Sequence, residues 1–75
     1  MAVPLVDLLP GMVGVLQHVT DEHSRGVLRS LGLTDGVRLR VCRAGDPCIV
    51  QVRSTRIGLS KIVAQSVYVV AEAQP

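Results

Sequence analysis

Within the stretch from His18 to His23, four side chains, His18, Asp21, Glu22 and His23, have the chemistry to hold a divalent metal ion. Imidazole and carboxylate together suit a ferrous ion. Near neighbours in a chain, however, converge on one ion only where the loop wraps around it. The same residues also suit a helix entry, where carboxylates face the positive end of the helix dipole. They stand as weak transition-metal candidates, and no dedicated metal site is expected. Cys42 and Cys48 are the only cysteines, and their Cys-x5-Cys spacing, with no second pair, does not match a zinc site. Ser24 beside His23 cannot build a catalytic triad, because adjacent side chains point in different directions. Gly32 and Gly36 lack the Gly-Lys-Ser/Thr context of a phosphate cradle. The acids Asp7, Asp21, Glu22, Asp35, Asp46 and Glu72 are scattered, mostly in loops, where a raised pKa is hard to arrange. The reading is a non-enzyme with no cofactor.

If no residue set does chemistry, the surface must act. Two surface features stand out. Arg38, Arg40 and Arg53 fall on the polar side of an alternating hairpin and form a basic stripe. Leu28, Leu31 and Leu33 cluster at the end of a short helix, where a small core cannot bury every apolar side chain. Leu28, Leu31, Leu33, Arg38 and Arg40 are therefore the expected partner-binding residues.

The elements that carry these residues are short. Leu5 to Leu9 has helical spacing but is stopped after about a turn by Pro10-Gly11. Met12 to Val19 reads as a strand whose apolar parity switches between Val15 and Leu16, the mark of a bulge. Thr20 or Ser24 is suited to cap a helix whose apolar stripe is Val27, Leu28 and Leu31, with Arg25 and Arg29 toward solvent. Gly32 ends that helix in the left-handed conformation, and Leu33 packs back onto its last turn. Val37 to Arg43 is the cleanest alternating strand, and Cys48 to Arg53 alternates again after a turn at Ala44-Gly45-Asp46-Pro47. Pairing Val41 with Val50 and Leu39 with Val52 keeps the apolar faces together. It also puts Cys42 on the outer face and Cys48 on the inner one, which argues against a disulfide between them. After a turn at Ser54-Thr55 come a short strand, Arg56 to Leu59, and a helical turn capped by Ser60. A closing strand runs from Val67 to Val70, and residues 71–75 read as a frayed tail.

The chain has 75 residues, 48% apolar, with 8 Lys plus Arg against 6 Asp plus Glu and a formal charge of +2. That length suits a single domain over residues 1–75. Fourteen valines and three isoleucines favour a sheet. The expected fold is mainly β: a small, strongly bent barrel of about five strands with one short inserted helix. Tyr68 is the only aromatic residue. One ring cannot build the stacking platform of a single-stranded nucleic-acid binder, and no run of like charges tracks a phosphate backbone. No apolar stretch approaches the ~20 residues of a membrane helix, and the start lacks the pattern of a secretion signal, so a soluble, unsecreted chain is expected.

One set of motifs resembles a known family. Leu8-x-Pro10-Gly11 is followed by Leu28-x-x-Leu31-Gly32-Leu33-Thr34-x-Gly36, then Gly45-Asp46-Pro47 at the hairpin, then Ile57-x-Leu59 and an apolar last strand. In that order and spacing they resemble the FeoA family, the small cytoplasmic component of bacterial ferrous iron transport. The resemblance runs from about Leu5 to Val70. It implies an SH3-like barrel with a helix inserted after the first strand. It further implies a cytoplasmic accessory protein acting on the cytosolic GTP-binding part of the FeoB transporter. A related barrel forms the C-terminal domain of some metal-dependent repressors, so a regulatory or nucleic-acid-binding domain is the alternative. The hairpin before Gly45 is shorter than is common in the family, and Val27 stands where a basic residue is usual.

Overall fold

The alternation from Val37 onward becomes a strand because its apolar side chains all reach one face, where Leu39 and Val41 are buried while Arg38 and Arg40 stay exposed. In the computed structural model, which describes residues 1–72, that strand is one of six. They are β1 (Ala2–Pro4), β2 (Val13–Val19), β3 (Arg38–Arg43), β4 (Cys48–Val52), β5 (Thr55–Leu59) and β6 (Val67–Ala71). A 3-10 helix, Leu5–Asp7, follows β1; helix α1 (Glu22–Ser30) joins β2 to β3, and α2 (Lys61–Gln65) joins β5 to β6. All neighbouring strands are antiparallel, in the order β1-β6-β2-β3-β4-β5.

The mainly β fold is therefore as expected, with two corrections. There are six strands, and β1 and β5 at the ends of the order do not pair, so the sheet is bent but not closed. Strand β1 carries no periodic signal because it has three residues and ends in proline, which lacks an N–H and is tolerated at a sheet edge.

The bulge in β2 is present but lies between Leu16 and His18 rather than at Val15. Leu16 and Val19 are buried on either side of it, while Gln17 and His18 are exposed. Gly14 is also buried there. A Cβ at this position would lie 3.2 Å from both Cβ and Cγ2 of Val69 and 3.3 Å from the Val70 carbonyl oxygen. Glycine thus lets β2 lie close against β6.

Helix α1 starts at Asp21, whose carboxylate accepts from the Ser24 N–H at 2.8 Å. Neither Thr20 nor Ser24 is the cap. Thr20 instead donates its N–H to the Ser66 carbonyl at 2.9 Å, fastening the end of β2 to the start of β6. The helix ends as expected at Gly32, with φ +86°. There the Gly32 N–H donates to Arg29 at 3.1 Å and the Leu33 N–H to Leu28 at 2.9 Å. This closing pattern pairs the orphan carbonyls of the last turn and brings Leu33 over Leu28, both in the core.

Val41 pairs with Val50 as the alternation requires. The next turn is Arg53-Ser54 rather than Ser54-Thr55, because Val52 pairs directly with Thr55. A two-residue connection needs a left-handed residue, and Arg53 supplies it at φ 57°. At the other end of the hairpin, Asp46 Oδ1 accepts from the Lys61 N–H at 3.1 Å, and Ser60 Oγ from the Val63 N–H at 3.3 Å. Together they fix the start of α2.

The tail expected to fray from residue 71 needs correction. Ala71 is the last residue of β6, and the Glu72 N–H donates to the Val13 carbonyl at 2.8 Å. Residues 73–75 lie outside the described residues.

Candidate interaction surface

His18, Asp21, Glu22 and His23 are all exposed, and folding does not gather them. Asp21 is spent as the helix cap: the Ser24 N–H first, and then its side chain, hold the Asp21 carboxyl below the usual carboxylate range. Among the described residues, no group of three or more His, Cys, Asp or Glu side chains is placed to hold a metal ion.

At the helix tip the three leucines separate. Leu28 and Leu33 are buried, so they leave the expected partner surface and join the core. Leu31, 46% exposed, stays on the surface together with Val27 on the same helix. The helix is only nine residues long and one face meets the sheet, so the stripe cannot all turn inward. Arg25, expected in solvent, is half-buried and donates Nη2 to the Val19 carbonyl at 2.7 Å, tying α1 to β2.

The arginines also separate. Arg38 forks onto Glu72, with Nε to Oε1 at 2.7 Å and Nη2 to Oε2 at 2.9 Å. Arg40 and Arg53 are exposed, and with Val13, Arg38 and Gln51 they line a shallow groove of about 330 Å³.

A second apolar area was not anticipated. Val6, Leu9 and Ile62 are exposed, at 42%, 68% and 79%. Val6 lines a cleft of about 150 Å³ between the 3-10 helix, the β3–β4 loop and Lys61, with Cys48 in its wall. The signal was the run Leu5-Val6-Asp7-Leu8-Leu9. A single turn lets Leu5 and Leu8 point inward and leaves Val6 and Leu9 outside. Cys48 is buried, which pushes its thiol pKa up, and Cys42 is half-buried; both are free thiols.

The perturbed groups thus serve caps, an ion pair and core packing. The surface is that of a bent antiparallel sheet with exposed apolar side chains at one helix tip and guanidinium groups on one sheet face. A chain of this class belongs to the FeoA family: the model described as the FeoA domain matches residues 3–71.

The solved structure of an iron uptake regulatory protein (FeoA) is 31% identical, with TM-score 0.86, over 96% of this chain and 100% of that one. FeoA from Stenotrophomonas maltophilia, solved as a zinc complex and called a procaryotic SH3 domain protein, is 30% identical. Its TM-score is 0.72, over 96% of this chain and 89% of that one. A manganese-dependent transcriptional repressor shares the fold alone, at 24% identity and TM-score 0.86, over 95% of this chain and 42% of that one. No curated protein sequence matches the chain.

Proposed function

We propose that this chain is an accessory, non-catalytic module of ferrous iron transport that binds a partner protein. The partner in this reading is the cytosolic GTP-binding part of a FeoB-type transporter. The observation that carries it is the family match over residues 3–71. Two relatives support it: one is an iron uptake regulatory protein, and the other has been put forward as a bacterial ferrous iron transport activating factor.

Leu31 and Val27 form the apolar centre of the contact, with Arg40 orienting the approach. Central apolar residues dominate interface energy, whereas exposed charges mainly steer association. No helix among the described residues is long and apolar enough to cross a membrane. A cytosolic partner places the module in the cytoplasm. The reading includes no cofactor, no resident metal and no nucleic acid; Tyr68, the one aromatic residue, is half-buried.

The test is complementation of a strain lacking its own FeoA. The wild-type chain restores ferrous iron uptake; Leu31→Asp does not, although circular dichroism shows it folded; Arg40→Ala restores uptake partly. Failure of the wild-type chain to restore uptake, with the protein folded and expressed, overturns the reading.

A further inference from the structure

The sheet register builds a row that the sequence alone does not show. Arg40 lies opposite Gln51 and Gln51 opposite Arg56, so three adjacent strands contribute one outward-facing line, which ends at the buried Val13 opposite Arg40. Arg38 stands on the same face of β3, two residues before Arg40, and Arg53 caps the β4–β5 turn. Four of the seven arginines are thereby collected on the outer side of β3, β4 and β5.

Resting on the protein-binding reading above, we propose that this face docks an acidic, carboxylate-bearing segment of the partner protein, in addition to the apolar contact at Leu31 and Val27. Among the described residues the one ion pair is Arg38 with Glu72. Its guanidinium already holds a carboxylate by the two-bond fork at the rim of the groove. The chain's own Glu72 thus shows how a carboxylate seats on this face. Arg40, Arg53 and Arg56 are exposed and carry the same planar fork, which matches a carboxylate bidentately.

The floor between them is set. Gln51 donates Nε2 to the Arg53 carbonyl at 3.0 Å, and its Oε1 lies 3.8 Å from Cys42 Sγ. Arg40 and Arg56 stand two strand spacings apart, about 10 Å. That is the reach of about three residues of extended chain, so a short acidic stretch spans the row.

The chemistry favours a protein carboxylate over a nucleic acid. A single-stranded nucleic acid needs aromatic rings for its bases beside the cations. Tyr68 sits opposite Pro4 and His18, two strands away from β3. The row also holds too few cations for a phosphate track.

The experiment is a titration of the isotope-labelled full chain with hexaglutamate at low salt, followed by amide chemical shifts. Shifts are expected at Arg40, Gln51, Arg53 and Arg56. The double variant Arg40→Glu/Arg53→Glu, shown folded by circular dichroism, is expected to weaken binding roughly tenfold, the sum of two exposed pairs. Arg29→Glu on α1 is expected to weaken it less than about twofold. Undiminished binding by the double variant, shifts confined to α1, or tighter binding of hexathymidylate than of hexaglutamate would each overturn the proposal. No transporter or iron enters this assay, so its failure leaves the transport reading intact. A failed complementation likewise leaves the peptide result standing.

Discussion

Arg38 and Glu72 are locked together by two parallel hydrogen bonds, Nε to Oε1 at 2.7 Å and Nη2 to Oε2 at 2.9 Å. The pair joins β3 to the residue just past β6 and spans β2, to which Glu72 is also bonded through the Val13 carbonyl. It removes one arginine from the free basic stripe and continues the order of the sheet past Ala71. Arg38 holds the Glu72 carboxyl below its usual range, through the hydrogen bonds first and its charge second.

An acid sensitivity follows from Glu72 and Asp21, whose carboxyls both titrate below their ordinary values in the folded chain. The unfolded chain then binds protons more readily, so stability falls as pH falls. Their contribution is complete above the unfolded carboxylate range and is lost as pH drops through the folded values, in a window below about pH 5. Thermal melts are expected to show a falling melting temperature in that window, with a shallower fall in Glu72→Gln and in Asp21→Asn. Parallel curves for wild type and both variants would contradict it.

Leu28 of α1 and Leu31, the residue that caps its end, should behave oppositely. Leu28 is wholly buried, so Leu28→Ala should cost about 2–5 kcal/mol by leaving a cavity. Leu31 is exposed at the helix end, and Leu31→Ala should change stability by less than about 0.5 kcal/mol. Denaturant titration of both variants measures the contrast.

That contrast marks a limit of what the sequence shows. Leu28 and Leu31 share one helical stripe, and periodicity does not say which the sheet covers. The closing hydrogen bonds at Gly32 decide it by laying Leu33 over Leu28. Where alternation is strict, at Val41 and Val50, strand, face and pairing were legible. The β2 bulge was legible but misplaced, because Gln17 and His18 are both polar and hide the slip in parity. Ala2–Pro4 was illegible as a strand, since three residues show no period. The Arg38–Glu72 pair was illegible because 34 positions separate its members and charge alone names no partner.

Gly14 should resist even a methyl group. Gly14→Ala would push a Cβ to 3.2 Å from the Val69 side chain and 3.3 Å from the Val70 carbonyl oxygen, inside the β2–β6 pairing. A destabilisation of about 1–3 kcal/mol is expected from such overpacking. A neutral or stabilising result in denaturant titration would show that β6 shifts freely.

The two thiols should label at different rates. Cys42 is half-buried, with its Sγ 3.8 Å from Gln51 Oε1, whereas Cys48 is buried and its thiol pKa is raised. In the native protein a maleimide is expected to modify Cys42 first, and Cys48 only on unfolding. Cys48→Ala should cost about 1 kcal/mol, and Cys42→Ser should be nearly silent. Equal native labelling of both thiols, read by mass spectrometry, would contradict this difference in burial.

The most direct test of the central claim is a calorimetric titration of the purified chain into the cytosolic GTP-binding part of a FeoB-type transporter. The account predicts saturable binding that Leu31→Asp abolishes and Arg40→Ala weakens, with both variants folded by circular dichroism. Absence of binding by the wild-type chain, or full binding by folded Leu31→Asp, would contradict it.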